Sequence, residues 1–175
     1  MERDYPEIPD YLKKLMESEN DWDEIRIDSE GRWFHNGVAF KNKRLIAFLN
    51  KSVDITRDKQ YVIHYSNFVY PITVEDAPLF ITVLRYHNTI DEKLVFITLS
   101  SGEVEKLDLR TLHYKNNSLY CYVRNGEIPA KFKRSPSFEL LQNLKENNDI
   151  YFLDICDQRI VLAEKIDSDT PYNIS

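Results

Sequence analysis

Apolar and polar residues alternate through much of the middle of the chain, as they do in β-strands with one buried face. Aromatic and β-branched residues fill Tyr61–Tyr65 and Phe68–Thr73, and the short connection between these runs predicts a hairpin. Pro71 indicates an edge strand or a strand end, because proline cannot donate a backbone hydrogen bond. Further strands are predicted over Leu79–Tyr86 and Lys93–Leu99.

Apolar residues at helical spacing predict three helices. The first is an N-terminal helix within residues 1–22, where an apolar stripe follows Pro9. The second carries the stripe Leu45–Leu49. The third begins with Ser135 as its N-cap and Pro136 at its first position. Its apolar stripe is Phe138, Leu140 and Leu141.

The last third of the chain resembles the first third. Tyr122-Val123-Arg124-Asn125-Gly126 matches Trp33-Phe34-His35-Asn36-Gly37, and Phe132-Lys133 matches Phe40-Lys41. Asn-Gly hairpins and amphipathic helices are common, so coincidence is the alternative. Several matched elements in the same order favour an internal duplication.

These patterns predict an α+β fold in which two repeated β-hairpin/helix/β-hairpin motifs share one core. The sheet is expected to be mostly antiparallel. The predicted units are an N-terminal helix in residues 1–22, a first repeat motif in 23–88, a second in 89–165 and a C-terminal tail in 166–175. Each motif is too small to bury a sufficient core alone.

Composition and charge exclude several classes of protein. The 175 residues carry 29 acidic and 23 basic side chains, and the net charge of −6 argues against nucleic-acid binding. The 42% hydrophobic content is enough for a folded core. Cys121 and Cys156 form no C-x-x-C pair, which indicates reduced thiols. Neither a secretory signal nor an apolar run of membrane-spanning length is found, so we expect a cytoplasmic protein with no membrane partner.

The usual motifs of enzymes are absent from the sequence. It has only four glycines, and they do not form a dinucleotide-binding loop or a P-loop. A nucleophile elbow and an H-E-x-x-H helix are missing too. The four histidines show no metal-ligand spacing, so we expect no metal and no cofactor.

One segment places adjacent carboxylates, Glu75 and Asp76, between two apolar strands. Such a pair can act as acid and base, or bind a cation or an amine. The alternative is a loop in which Asp76 caps backbone N–H groups and Pro78 fixes the turn. Arg85 shares the strand parity of apolar residues before it, which makes it a candidate buried partner; an arginine with its head in water is the alternative.

Other polar residues are weaker candidates. His64 lies in a predicted strand and can titrate near neutral pH, although a surface or structural histidine is the commoner case. Two basic clusters also occur at matched positions of the two motifs. They are Lys41, Lys43, Arg44 and Lys51, and Lys131, Lys133 and Arg134. Together they predict an anion-binding rim between the motifs, with solvated helix entrances as the alternative.

Three segments resemble the bacterial family catalogued as domain of unknown function 1285 (DUF1285). They are Gly31-Arg32-Trp33-Phe34-His35-Asn36-Gly37, the helix Leu45–Leu49 and above all Ile72-Thr73-Val74-Glu75-Asp76-Ala77-Pro78-Leu79-Phe80. The resemblance implies an α+β protein of two repeated motifs, without an established catalytic activity and with a suggested role in signalling or ligand sensing. The chain departs from the family pattern at Tyr65-Ser66, where a Thr-Pro turn would be expected, and at Phe68-Val69, where a Glu-Lys or Glu-Arg pair would be expected. It also has Asn42 where a basic residue is usual.

The leading hypothesis is a non-enzymatic module that binds a small ligand or a protein partner. Its ligand is expected in a cleft between the motifs. The residues expected there are Trp33, His64, Glu75, Asp76 and Arg85. One alternative is an enzyme that uses Glu75 and Asp76 as its acid and base. The other is an interaction scaffold with an exposed aromatic face, for which a homodimer is a candidate assembly.

Overall fold

The computed structural model describes residues 24–90, 92–148 and 150–164. Of these residues, 52% lie in strands and 15% in helices, and the strands form four sheets. The expected α+β class is therefore wrong, and the described part of the protein is mostly β. The N-terminal helix expected in residues 1–22 and the tail in 166–175 lie outside the described residues.

The first sheet has four strands in the order β3-β2-β1-β7. They are β1 Ile25–Ile27, β2 Trp33–His35, β3 Val38–Ala39 and β7 Thr73–Val74. Asn36 and Gly37 connect β2 to β3 with φ of 47° and 80°, as the favoured two-residue hairpin turn requires. The pairing of β1 with β7 is parallel, so the chain leaves this sheet and returns to it.

Helix α1, Lys43–Ser52, follows this hairpin and confirms the apolar stripe read from the sequence. Its N-cap is Asn42, whose side chain accepts hydrogen bonds from the N–H groups of Arg44 and Leu45 at 3.0 and 3.2 Å. Leu45, Phe48 and Leu49 are buried, and the helix packs near β5. A three-stranded antiparallel sheet comes next: β4 Val53–Ile55, β5 Tyr61–Tyr65 and β6 Phe68–Pro71. Pro71 ends the edge strand β6, as predicted.

The largest sheet has six strands in the order β10-β9-β8-β13-β12-β11. They are β8 Leu79–Asn88, β9 Lys93–Leu99, β10 Val104–Lys106, β11 His113–Lys115, β12 Ser118–Val123 and β13 Ile128–Phe132. The Glu105 carboxylate on β10 accepts a hydrogen bond from the Arg124 N–H, just after β12, at 2.9 Å. In a flat sheet these strands would lie four spacings of ~4.8 Å apart, so the sheet curls strongly around its inner face.

Helix α2, Arg134–Leu141, leaves β13 and leads to a second three-stranded antiparallel sheet. The strands of that sheet are β14 Leu144–Asn147, β15 Ile150–Ile155 and β16 Gln158–Glu164. The N-cap of α2 is Lys133, so the predicted start at Ser135 and Pro136 is too late by two residues. Pro136 remains compatible with the helix because its first turn lacks intrahelical N–H partners.

The same order of elements occurs twice: a hairpin, a helix and three antiparallel strands. The sequence predicted two strands after each helix, and it missed the short strands β4 and β14 that directly follow the helices. Those extra strands, together with helices of only 10 and 8 residues, explain why the α+β class fails. The duplication itself stays a prediction. Its proposed boundary at residue 88 falls at the end of β8, between the paired strands β8 and β9.

One buried apolar cluster extends from β1 to β16. Its bulkiest fully buried side chains include Trp33 on β2, Phe48 on α1 and Phe80 on β8. The four sheets therefore enclose a common core, in which side chains from both ends of the described chain interdigitate.

Candidate functional site

Two of the expected site residues, Trp33 and His64, have their hydrogen-bond partners in different parts of the fold. Trp33 is buried, and its indole Nε1 donates a hydrogen bond to Asn50 Oδ1 at 2.9 Å. His64 is exposed on β5, and its Nδ1 lies 3.4 Å from the carboxylate of Asp54 on the neighbouring strand β4. Trp33 thus belongs to the core, whereas His64 belongs to the surface of the first three-stranded sheet.

Arg85 is exposed on β8, contrary to the strand parity that made it a candidate buried partner. The register of β8 against β9 shifts between Ile81 and Val83. A bulge there reverses the alternation of side chains, so Leu84 faces the core and Val83 faces outward. Among the described residues, Arg85 forms no ion pair with Glu75 or Asp76.

Glu75 is held by the first sheet. Its carboxylate pairs with the guanidinium of Arg26 on β1 and accepts a hydrogen bond from the Ser29 N–H at 3.2 Å. The Arg26 guanidinium also lies 4.4 Å above the ring of Phe34 on β2. Glu75 therefore fixes the loop before β8 to the β1–β2 turn.

Asp76 is held by the six-stranded sheet. It accepts hydrogen bonds from the Tyr120 hydroxyl at 3.0 Å and pairs with Lys131 Nζ at 2.8 Å. Burial alone would lower the pKa of Lys131, but the contact with Asp76 outweighs it and raises that pKa. Lys131 Nζ also donates to the backbone oxygen of Ser29 at 3.1 Å. Since each adjacent carboxylate has its own cation on a different sheet, the geometry favours a structural role for the pair.

The β1–β2 turn that these contacts reach is rigidly built. Asp28 is buried and accepts hydrogen bonds from the N–H groups of Glu30 and Arg32 and from the Arg32 side chain at 2.7–3.0 Å. Burial acts to raise the pKa of Asp28, but these hydrogen bonds prevail and lower it. Gly31 has a φ of +79°, and a Cβ there would lie 2.8 Å from ring atoms of Phe80. Only glycine fits this position without displacing the ring.

A cleft of ≈ 370 Å³ opens beside this turn, between the end of β13 and the start of α2. We call it the junction cleft. Its lining includes Glu30, Phe80, Lys131, Lys133, Arg134 and Phe138. Its position between the first sheet, the six-stranded sheet and α2 makes it the meeting point of three elements.

The cations of the junction cleft come from strand periodicity. Lys131 lies on β13, and Lys133 follows the end of that strand with an extended backbone, so both side chains point to the same face. Lys133 Nζ lies 4.3 Å above the Phe80 ring and donates to the backbone oxygen of Glu30. Burial lowers the pKa of Lys133, and the positive charges of Lys131 and Arg32 lower it further, although the carboxylates of Glu30 and Asp28 act in the opposite direction. Among the described residues, no carboxylate lies within ion-pair distance of Lys133, so a bound anion would restore the favourable environment of its charge.

In two other clefts of larger size, most cations are already paired, and Lys106 is the exception in both among the described residues. In a cleft of ≈ 420 Å³ beside β9 and β10, Arg110 pairs with Asp108 at 2.7 Å, and Lys93 pairs with Asp157 at 2.7 Å. In a more open one of ≈ 810 Å³, Arg124 pairs with Glu103 at 2.6 Å. The junction cleft differs because two adjacent cations, Lys133 and Arg134, both lack such a partner in the described ranges.

The basic cluster of the junction cleft was predictable from the sequence, whereas the apolar residues that line the cleft were not. The other cluster, at Lys41 to Lys51, does not line this cleft. Phe138 was expected on the buried stripe of its helix, yet its side chain is 67% exposed, and Leu140 is buried instead. A phenylalanine four residues after two consecutive basic residues, Lys133 and Arg134, was the signal in the sequence. Helical periodicity assigned Phe138 to the core instead.

In the described ranges, no group of three or more His, Cys, Asp or Glu side chains is placed to hold a metal ion. The helices of the same ranges are too short or too polar to span a membrane.

Comparison with known proteins gives a fold relationship. No family model matches the sequence, and no curated protein matches it. A solved structure of a DUF1285 family protein from Silicibacter pomeroyi DSS-3 is similar with a TM-score of 0.65 and 15% identity, over 81% of this chain and 80% of that one. A DUF1285 family protein from Shewanella baltica OS155 is similar with a TM-score of 0.54 and 20% identity, over 69% of this chain and 92% of that one. The chain therefore has the fold of DUF1285 family proteins, and the resemblance noted in the sequence is confirmed at the level of the fold.

Proposed function

We propose that this protein is a binding module that holds a small anionic ligand in the junction cleft. The observation that carries the proposal is the half-buried Lys133, which lies against the Phe80 ring beside Arg134 without a carboxylate partner in the described ranges. A cation in such surroundings gains from an anion more than a cation in water does, because the local dielectric constant is lower.

The surroundings of these cations suit recognition of a phosphate or a carboxylate. Arg134 offers a planar fork of donors for oxyanions, and Ser137 and Asn117 add a hydroxyl and an amide to the lining. Glu30 is the acidic side chain among the cleft residues named above. The cleft keeps a net positive charge, because the Glu30 carboxylate balances only one of the two cations Lys133 and Arg134, and Asp76 neutralises Lys131.

The junction contacts give such binding a route to the rest of the fold. Lys131 joins Asp76 to the β1–β2 turn through Ser29, and Lys133 reaches the same turn at Glu30. An anion that draws the Lys133 ammonium away from Glu30 would loosen this turn. That coupling is what a ligand-sensing module requires, and it supports the non-enzymatic hypothesis over use of Glu75 and Asp76 as acid and base.

The test is calorimetric titration of the whole chain with inorganic phosphate. A Lys133→Met/Arg134→Gln double variant should bind phosphate about 10–100-fold more weakly, because a hydrogen bond to a charged group contributes about 1.5–3 kcal/mol. The matched control is Lys43→Gln/Arg44→Gln, the basic pair at the start of α1, where the Asn42 side chain already occupies the helix N–H groups. Equal weakening by both double variants, or no phosphate binding by the unchanged protein, would contradict the proposal.

A further inference from the structure

The junction cleft has an apolar side that a simple anion would leave unused. Phe138 is 67% exposed on α2, with Leu141 one turn further along the same helix. Phe80 and Phe132 supply the floor between these residues and the cations, and both are buried. An exposed phenylalanine on a charged protein surface is unremarkable alone. Here it borders the cleft that contains the unpaired cations.

The volume of the cleft exceeds what an inorganic anion needs. At ≈ 370 Å³, the cleft is more than ten times the ~30 Å³ that one water molecule occupies in the liquid. It falls at the lower end of the ~300–1,000 Å³ typical of sites for small organic ligands. An inorganic phosphate on Lys133 and Arg134 would therefore leave the Phe138 side of the cleft to solvent.

We infer that the ligand of the junction cleft is an amphipathic anion, with a phosphate or carboxylate group on Lys133 and Arg134 and an aromatic or other apolar body on Phe138 and Leu141. This inference rests on the proposed function, since it requires that anions bind in the cleft at all. It adds a ligand class and gives Phe138 the role of a specificity residue.

Charge and shape favour a free small molecule over a membrane surface as the source of this ligand. The chain has a net charge of −6, which opposes approach to an anionic bilayer. The cations lie within a cleft beside buried aromatic residues, where a compact ligand can contact both the ammonium of Lys133 and the ring of Phe138. A stacked or edge-to-face aromatic contact adds to the affinity that burial of apolar surface supplies.

Three probes separate the contributions: inorganic phosphate, phenyl phosphate and phenol, each titrated calorimetrically into the whole chain. Phenyl phosphate should bind at least tenfold more tightly than inorganic phosphate, and phenol should bind more weakly than phenyl phosphate. Phe138→Ala should abolish the preference for phenyl phosphate and leave inorganic phosphate binding unchanged. Because Phe138 is mostly exposed, this variant should retain the Tm of the unchanged protein. Tyr114→Ala, an aromatic residue exposed on the edge strand β11, is the matched control and should keep the preference.

The outcomes distinguish the apolar subsite at Phe138 from the proposed anion site on Lys133 and Arg134. If both phosphates bind equally, or if Phe138→Ala keeps the preference, the apolar subsite is wrong and the anion site stands. If neither phosphate binds, the proposed function fails and this inference fails with it. Co-sedimentation with phosphatidylglycerol/phosphatidylcholine vesicles, together with absence of phenyl phosphate binding, would overturn the assignment to a free small molecule.

Discussion

Replacing Gly31 by alanine tests the packing that builds the junction cleft. Gly31 has a φ of +79°, and an added Cβ would meet Phe80 Cδ2 and Cε2 at 2.8 Å. Real Cβ atoms avoid such short contacts, so the ring or the turn must move. Phe80 is 1% exposed, and Lys133 Nζ lies 4.3 Å above the ring. The ring is therefore closely packed, and a shift toward the junction cleft would displace Lys133.

The expected cost has a conformational part and a steric part. Placing a non-glycine residue in the left-handed region costs roughly 1–2 kcal/mol, and the smaller entropy of the unfolded alanine chain offsets about 0.4–1 kcal/mol of this. Overpacking against Phe80 adds about 1–3 kcal/mol. Gly102→Ala isolates the first part, because Gly102 has a φ of +86° and no atom within 4 Å of the added Cβ. The free energy of unfolding of Gly31→Ala should thus fall by about 1–3 kcal/mol more than that of Gly102→Ala.

Urea denaturation followed by far-ultraviolet circular dichroism measures both changes. Gly31→Ala should also weaken phosphate binding, since the ring beneath Lys133 is displaced, whereas Gly102→Ala should leave binding unchanged. A Phe80→Leu background should reduce the cost of Gly31→Ala, because the clash with the ring is then absent. Equal losses of stability in the two glycine variants would refute the close approach of Gly31 and Phe80.

Three further predictions concern other parts of the fold. Hydrogen bonds outweigh burial and lower the pKa of Asp28 below the 3.8 of a free side chain. In urea denaturation at stepped pH, the destabilisation by Asp28→Asn should therefore be full above about pH 5 and shrink as the pH falls through the folded-state pKa. A constant difference in the free energy of unfolding down to about pH 2 would contradict this. Burial raises the pKa of Cys121 to about 12. Ellman's reagent should therefore label Cys156 but not Cys121 in the native protein, and both cysteines in urea. Labelling of Cys121 in the native protein would be inconsistent with its burial. Arg124→Met should lower the free energy of unfolding by about 1.5–3 kcal/mol, because the Arg124 side chain is 10% exposed and also donates a hydrogen bond to the Val53 carbonyl oxygen. Arg110→Met should have little effect, because the Arg110 side chain in its ion pair with Asp108 is 84% exposed.

Local elements were predictable because their signals are local. The stripe on α1 and the β5–β6 hairpin follow from short-range periodicity and turn chemistry, and the structure has both. Two Asn-Gly turns were read as equivalent, yet the first joins its strands directly, and the second lies within the longer Arg124–Glu127 connection. Turn residues can be read from sequence, whereas the length of a turn depends on the strands that it connects.

The candidate site was harder to predict because its contacts are remote in sequence. Lys131 reaches Ser29, and Lys133 reaches Glu30, across about a hundred residues. The bulge in β8 that turns Arg85 outward leaves no clear mark in the residue pattern. Glu75 and Asp76 stand out in the sequence as adjacent carboxylates between apolar strands. Their separate partners, Arg26 and Lys131, could be identified only from the pairing of sheets.

Chemical-shift mapping by NMR tests the central claim most directly. Titration of the ¹⁵N-labelled chain with phenyl phosphate should shift the backbone amides of six residues that line the junction cleft: Ser29, Glu30, Lys133, Arg134, Ser137 and Phe138. The amides of Lys106 to Arg110, at the larger cleft beside β9 and β10, should stay in place. Shifts confined to Lys106–Arg110, or no shifts at either cleft, would contradict the account.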